Sequence, residues 1–223
     1  MIDKFGRRIK DAFLTPMLRV VPKGIHPNSV TLLSLPPGVA TALFAALGIW
    51  PWALVAFLLN RALDGLDGLL ARTRGVQSDF GGYLDIMIDF LVYAAIPVGI
   101  WVGVEGELVI PTAEAGIGVS RSGGLQALPL VVLLAVFYVN AASWMYLSSV
   151  LEKRRTATPE VAGAPKTTSV EMPSGLVEGT ETVLFYLLFL LLPSYYPLLF
   201  YLMAAATSVG VVQRLSWAWR RLR

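Results

Sequence analysis

Long apolar runs separated by short polar loops dominate the chain, near 28–47, 52–72, 80–104, 128–151, 177–192 and 196–217. A bilayer core takes about 20 helical residues to cross, so the pattern predicts six transmembrane helices, the fifth being short. Pro36 and Pro37 fall inside the first span and should bend it, which neighbouring helices tolerate in a membrane. Ahead of the spans, Ile2, Phe5, Ile9, Phe13, Met17 and Val21 recur at helical intervals, with Lys4, Arg7, Arg8 and Lys10 elsewhere around the turn. Residues 1–22 therefore read as an amphipathic helix in the membrane interface, without the long apolar core or cleavage site of a secretory signal.

Composition agrees with this reading. With 56% hydrophobic and 15% charged residues and a mean hydropathy of +0.65, the chain is expected to be an all-α integral membrane protein. It is read as one domain over 1–223, with the six-helix bundle at 28–217. The absence of cysteine excludes disulfides, and a single histidine beside no cysteine argues against a zinc site. Orientation follows from the positive-inside rule. With the N-terminus in the cytoplasm, the basic residues of 4–23, Arg72, Arg74, Lys153, Arg154, Arg155, Lys166, Arg214, Arg220, Arg221 and Arg223 share one side, and Arg121 alone lies opposite. Both termini are thus expected in the cytoplasm of a cell with a multi-pass protein in its inner membrane. The expected contacts are with lipid headgroups, and no nucleic-acid partner is implied.

One stretch breaks the apolar pattern. Residues 64–89 read DGLDGLLARTRGVQSDFGGYLDIMID and place Asp64, Asp67, Asp85 and Asp89 within two otherwise apolar segments. Asp64 and Asp67 lie about 60° apart around a helix, with Gly68 and Ala71 on the same side, while Asp85 and Asp89 stack one turn apart with Gly81 before them. An isolated charge at bilayer depth costs about 2.5–3.5 kcal/mol, so four carboxylates with few basic neighbours require a cation. Carboxylate oxygens suit Mg²⁺, Mn²⁺ or Ca²⁺.

The spacing D-x2-D-G-x2-A-R-x8-G-x3-D-x3-D resembles the signature of the CDP-alcohol phosphotransferase (CDP-alcohol phosphatidyltransferase) family, matched at Asp64, Asp67, Gly68, Ala71, Arg72, Gly81, Asp85 and Asp89. The resemblance implies a Mg²⁺- or Mn²⁺-dependent enzyme, with two ions clamping the diphosphate of CDP-diacylglycerol or an ether analogue. Asp64, Asp67 and Asp85 are then metal ligands, with Asp89 at the same metal cluster. The resemblance further implies that Asp89 takes the proton of the acceptor hydroxyl as it attacks phosphorus and CMP leaves, with Asp85 counted beside it in the catalytic pair. Gly68, Ala71 and Gly81 would leave room for the nucleotide and diphosphate or simply let helices pack closely. Arg72 would bind a phosphate, brace an aspartate or anchor at the headgroups. Asn28 and Thr31 resemble a Pro-Asn-x-x-Thr run near the cytidine pocket, although His26 and Pro27 beside them also read as a helix start. The resemblance also implies a homodimer formed through membrane helices.

Outside the motif the signals are less specific. Arg61, one turn before Asp64, is expected either to pair with the aspartates or to bind the acceptor alcohol. Arg154, Arg155 and Arg214 could hold a phosphorylated acceptor or serve as cytoplasmic anchors. Ser78 and Asp79 read as a helix cap, Glu178 and Glu181 as the start of the fifth span, and Asn140 and Ser143 as interhelical hydrogen-bonders. Trp50, Trp52, Tyr195, Tyr196, Trp217 and Trp219 read as an aromatic belt at the interfaces. Residues 156–173, rich in Thr, Ala, Pro and Val, are expected to form a flexible cytoplasmic loop or a lid. The expected reaction is phosphatidyl transfer to a small polar alcohol, with a CDP-choline or CDP-ethanolamine transferase acting on diacylglycerol as the alternative. A divalent-cation transporter is the rival of another class, but no second inverted repeat with its own polar breaks is visible.

Overall fold

The computed structural model describes residues 14–16, 18, 21–22, 24–105, 123–156 and 175–222, the side chains of Arg155 and Thr156 excepted. Most of the expected amphipathic helix at 1–22, and all but Thr156 of the expected loop at 156–173, lie outside these residues. The described residues are helical with no strand. The long elements are α1 (Pro27–Ala46), α2 (Trp50–Arg74), α3 (Asp79–Glu105), α4 (Leu128–Thr156), α5 (Gly179–Leu191) and α6 (Tyr196–Leu222).

Four of these meet the length and hydropathy of a membrane-crossing helix, namely α1, α3, α4 and α6. The other two expected spans depart for different reasons. At 25 residues α2 is long enough, but it carries Arg61, Asp64, Asp67, Arg72 and Arg74, so its composition is not that of a lipid-embedded rod. At 13 residues α5 is short, and a 3-10 turn at Pro193–Tyr195 leads from it into α6. Leu32, Leu33, Leu58, Leu59, Leu91, Val131 and Leu202 are all at least half exposed, a surface suited to hydrocarbon rather than to water.

The helix ends follow from local chemistry. His26 caps α1 by accepting the Asn28 N–H at Nδ1, 3.2 Å away, with Pro27 at the first helical position. Within α1 the buried hydroxyls of Thr31, Ser34 and Thr41 donate to carbonyls of their own helix, which satisfies them without water. The helix carries Pro36 and Pro37 without ending. Gly75 closes α2 at φ 66°, and Val76 N–H returns to Ala71 O at 3.1 Å. Ser78, rather than Asp79, caps α3 by accepting the Gly81 N–H at 3.0 Å. Glu178 caps α5, its N–H donating to Glu181 Oε2 at 3.2 Å.

α1 lies against both α2 and α3, and α4 pairs with α6. Small residues permit the first of these packings: a Cβ on Gly99 would stand 2.3 Å from the Ala42 carbonyl oxygen, and one on Gly103 1.9 Å from that of Ala45. Where the first three helices converge, a Cβ on Gly38 would meet Val92 at 2.4 Å. Deeper in the bundle an aromatic stack runs from Phe57 and Tyr93 through Tyr186, Phe189 and Phe200 to Tyr196, with centroids 4.9–6.0 Å apart. This corrects the reading of Tyr196 as a belt residue. It is 2% exposed, and its hydroxyl lies 2.6 Å from Glu105 Oε1 and 3.0 Å from the Gln126 carbonyl. Trp52, Tyr195 and Trp219 are exposed as a belt requires.

Candidate active site

A four-residue turn joins α2 to α3, and α1 packs against both, so the motif residues of α2 and α3 border a shared space beside α1. Asp64, Asp85 and Asp89 each offer a carboxylate oxygen, and these oxygens all lie within 4.8 Å of one another. Asp64 of the one stripe therefore faces Asp85 and Asp89 of the other. Asp67, one turn nearer the C-terminal end of α2 than Asp64, is 5% exposed.

Beside the carboxylates is a cavity of about 190 Å³, lined among others by Asn28, Thr31, Asp67, Gly68, Ala71, Arg72, Gly81 and Asp85. Every residue expected at the CDP-lipid thus borders one space. Asp85 belongs both to this cavity and to the carboxylate cluster, so the two are continuous. The glycines open it in a way that spacing alone did not reveal. A Cβ on Gly81 would come 2.8 Å from Asn28 Oδ1 and 3.1 Å from Ser78 Oγ, and one on Gly68 would come 3.3 Å from Arg72 Nη1. Both positions admit the cavity's own polar side chains, whose donors and acceptors then line its wall.

Arg61 sits at the deep edge of the cluster with its side chain 10% exposed. Its Nη2 donates to Asp89 Oδ1 at 2.8 Å, and Nη1 lies 3.8 Å from Asp64 Oδ1. Of the two roles expected for Arg61, pairing with the aspartates is the one the geometry displays. Sequence reasoning missed its supports, Asn60 and Tyr93, because an Asn and a Tyr inside an apolar run carry no signature of their own.

The remaining candidates lie elsewhere. Arg214 of α6 is 8% exposed and donates to Asn140 Oδ1 and, at 3.4 Å, to Ser143 Oγ of α4, so the expected interhelical role of that pair is realised through an arginine. Arg154 is exposed and donates to the carbonyls of Arg221 and Leu222 at the end of α6. Arg155 stands in the last turns of α4, its side chain outside the described residues. Arg74, read from the sequence only as one of the positive-inside charges, ties the end of α2 to the chain before α1 through the carbonyls of Val21, Pro22 and Ile25.

Known proteins agree with this architecture. The family model for CDP-alcohol phosphatidyltransferase matches residues 24–212. The chain belongs to this family. It is accordingly a membrane-embedded transferase of phospholipid biosynthesis. It is 37% identical to the inner membrane protein YnjF of Escherichia coli over 88% of this chain and 84% of that one. It is 33% identical to a phosphatidylinositol phosphate synthase of Streptomyces avermitilis over 43% of this chain and 40% of that one. The fold resembles that of the Mycobacterium tuberculosis phosphatidylinositol phosphate synthase crystallised with CDP-DAG bound, at a TM-score of 0.59 and 23% identity over 95% of this chain and 94% of that one. The same mycobacterial enzyme has been crystallised in complex with manganese and citrate, with a TM-score of 0.59 and 22% identity over 94% of this chain and 88% of that one. In the present chain the donor set is hard carboxylate oxygen and the atoms converge, so the cluster fits a divalent ion such as Mg²⁺ or Mn²⁺.

Proposed function

We propose that this CDP-alcohol phosphatidyltransferase moves a phosphatidyl group from CDP-diacylglycerol, or an ether analogue, to the hydroxyl of a small polar alcohol and releases CMP. The observation that carries the proposal is the continuity of the Asn28–Gly81–Arg72 cavity with the carboxylate cluster through Asp85. Asp64, Asp67 and Asp85 hold the metal, two ions in all, with Asp89 at the edge of the group. Bound there, the metal supplies neutralisation of the diphosphate and of the charge that develops on the leaving phosphate. The cytidine and diphosphate occupy the cavity, where Asn28, Thr31 and Ser78 offer polar groups and Arg72 faces the phosphates. Asp89, the carboxylate held by Arg61 at 2.8 Å, accepts the proton of the attacking hydroxyl, and the phosphoryl bond to CMP breaks as the bond to the alcohol forms.

The acceptor is a phosphorylated polyol. Relatives named for phosphatidylinositol phosphate and archaetidylinositol phosphate synthesis support that class. Arg214 is its best ligand, because Nε and Nη2 are spent on Ser143 and Asn140 while Nη1 is directed toward Gly175, where a Cβ would be 3.2 Å away. Arg154 is engaged at the end of α6 and contributes at most alongside Arg155. We read all six helices as membrane passes, α2 shielded by its neighbours, with both termini and the site in the cytoplasm and the active form a homodimer of one domain per chain.

The test is an assay of membranes carrying the protein with labelled CDP-diacylglycerol, Mg²⁺ or Mn²⁺, and glycerol 3-phosphate, inositol phosphate, inositol or serine in turn. CMP and a new lipid should appear together with a phosphorylated acceptor. No CMP with any alcohol would end the proposal, and CMP only with serine or inositol would end its acceptor half.

A further inference from the structure

Three backbone carbonyls that precede α1 converge on one side chain at the end of α2. Arg74 Nη1 donates to the Ile25 carbonyl at 2.6 Å, and Nη2 donates to those of Val21 and Pro22 at 3.2 and 3.1 Å. These acceptors lie 49 to 53 residues back along the chain. A guanidinium presents its donors in one plane as a rigid fork, so three carbonyls on two of its nitrogens fix both the place and the direction of the segment that enters α1. A cytoplasmic anchor needs none of this, because it reaches for headgroups and leaves carbonyls to water.

The tie is reinforced on both sides. The Pro22 carbonyl also accepts the Ile25 N–H at 3.1 Å, which closes the turn that Arg74 grips. Beneath it, Leu18 and Val21 pack against the buried Val30 of α1 and Leu66 and Leu70 of α2, a cluster separate from the main core. What the tie joins are two walls of the cavity. Pro27, Asn28 and Thr31 line one wall, starting just after Ile25, and Val76, Gln77 and Ser78 line the other, starting just after Arg74. His26 passes the constraint on, since its Nδ1 accepts the Asn28 N–H. Arg72 borders the cavity and Arg74 does not, so Arg74 acts through the backbone it holds.

We propose that Arg74 is a positioning residue for the CDP-lipid: it bolts the entry of α1 to the end of α2 and holds the two walls of the cavity at the separation that admits a cytidine diphosphate group. The inference rests on the phosphatidyl-transfer reading for what fills the cavity, whereas the tie itself is measurable without turnover.

The test uses the full chain in detergent micelles. Binding of a short-chain CDP-diacylglycerol is titrated by calorimetry with Mn²⁺ present, CMP release is followed in parallel, and amide hydrogen exchange is followed over 24–31. In Arg74→Gln, exchange over 24–31 should rise. Affinity for the CDP-lipid should fall about tenfold, as when about a tenth of the molecules keep the binding-competent arrangement. KM for the CDP-lipid should rise with it, while kcat and KM for the acceptor stay at their wild-type values. Arg74→Lys, which sets one ammonium against three carbonyls, should recover only part of the affinity. Because the chain has no cysteine, Ile25→Cys combined with Arg74→Cys allows a covalent substitute. A short bismethanethiosulfonate linker across that pair should restore CDP-lipid affinity, and reducing the linker should remove the gain.

Unchanged CDP-lipid affinity in Arg74→Gln overturns the proposal. So does a loss that Arg74→Lys repairs completely and that disappears at high salt, because charge alone then suffices. A fall in kcat with CDP-lipid affinity intact also overturns it, since the effect would then lie in the chemical step. If Arg74→Gln does not accumulate as folded protein, the cysteine pair decides, and equal affinity with and without the linker ends the proposal. If wild type binds no CDP-lipid, the transfer reading falls and takes the donor half with it, while exchange over 24–31 still decides whether Arg74 holds the entry to α1.

Discussion

Asp67 and Asp89 share a motif but not an environment. Asp67 is buried against the cavity, whereas Asp89 is held at 2.8 Å by Arg61 on the deep side of the cluster. Replacing each carboxylate by its amide should therefore give different losses. Asp89→Asn is expected to keep Mn²⁺ and CDP-lipid binding while kcat falls by about 10²–10⁴, the contribution of a general base. Asp67→Asn is expected to weaken Mn²⁺ binding by about tenfold or more. Calorimetric titration of Mn²⁺ beside CMP release separates the two, and equal activities in both variants would show that the roles are misassigned. The residues themselves were legible in the sequence, because four acids at helical spacing inside apolar runs have no inexpensive explanation. Arg61 was legible as a charge with two open roles, pairing with the aspartates or binding the acceptor, but which carboxylate it meets was not, since Asp89 lies 28 residues away and Tyr93 32.

At the scale of elements, the site depends on how closely α1 approaches α3. The missing side chains at Gly99 and Gly103 let α3 touch the backbone of α1, and a backbone carbonyl cannot rotate aside as a side chain can. Gly99→Ala should therefore destabilise the bundle by about 1–3 kcal/mol, the usual cost of overpacking. Gly82→Ala, where a Cβ meets nothing within 4 Å, should leave thermal stability unchanged or raise it by up to about 1 kcal/mol. Unfolding in detergent micelles by a thermal-shift assay measures both, and equal melting temperatures would mean that α1 and α3 do not meet as described. Helix existence was readable from the apolar runs, and the observed bounds of α1 to α3 differ from the expected ones by two residues or fewer at each end. The exposure of Tyr196 was not readable, because a tyrosine at a span end serves equally well at an interface or buried on a polar partner.

For the whole molecule, the absence of cysteine makes topology directly measurable. In the proposed orientation, a cysteine at Ser120 should react with a membrane-impermeant maleimide added outside the cytoplasmic membrane. One at Ser169 should react only in inverted vesicles. The reverse pattern would put the aspartates on the wrong side for soluble nucleotides and acceptors, and the positive-inside reading with them. The same chemistry counts the passes, since an even number returns the chain to the side where it began.

Spacing and residue type by themselves determined the family, the helical character and the identity of the four acids. These are local properties: a period of 3.6 residues and a divalent ion's demand for oxygen are both written along the chain. Only the tertiary structure decided which carboxylate Arg61 grips, that Gly68 and Gly81 make space for Arg72 and Asn28, and that Arg214 lies between α4 and α6 rather than in an open cluster of arginines. Those outcomes depend on the rotation of each helix about its own axis and on partners from distant segments, and neither has a period or a spacing to betray it.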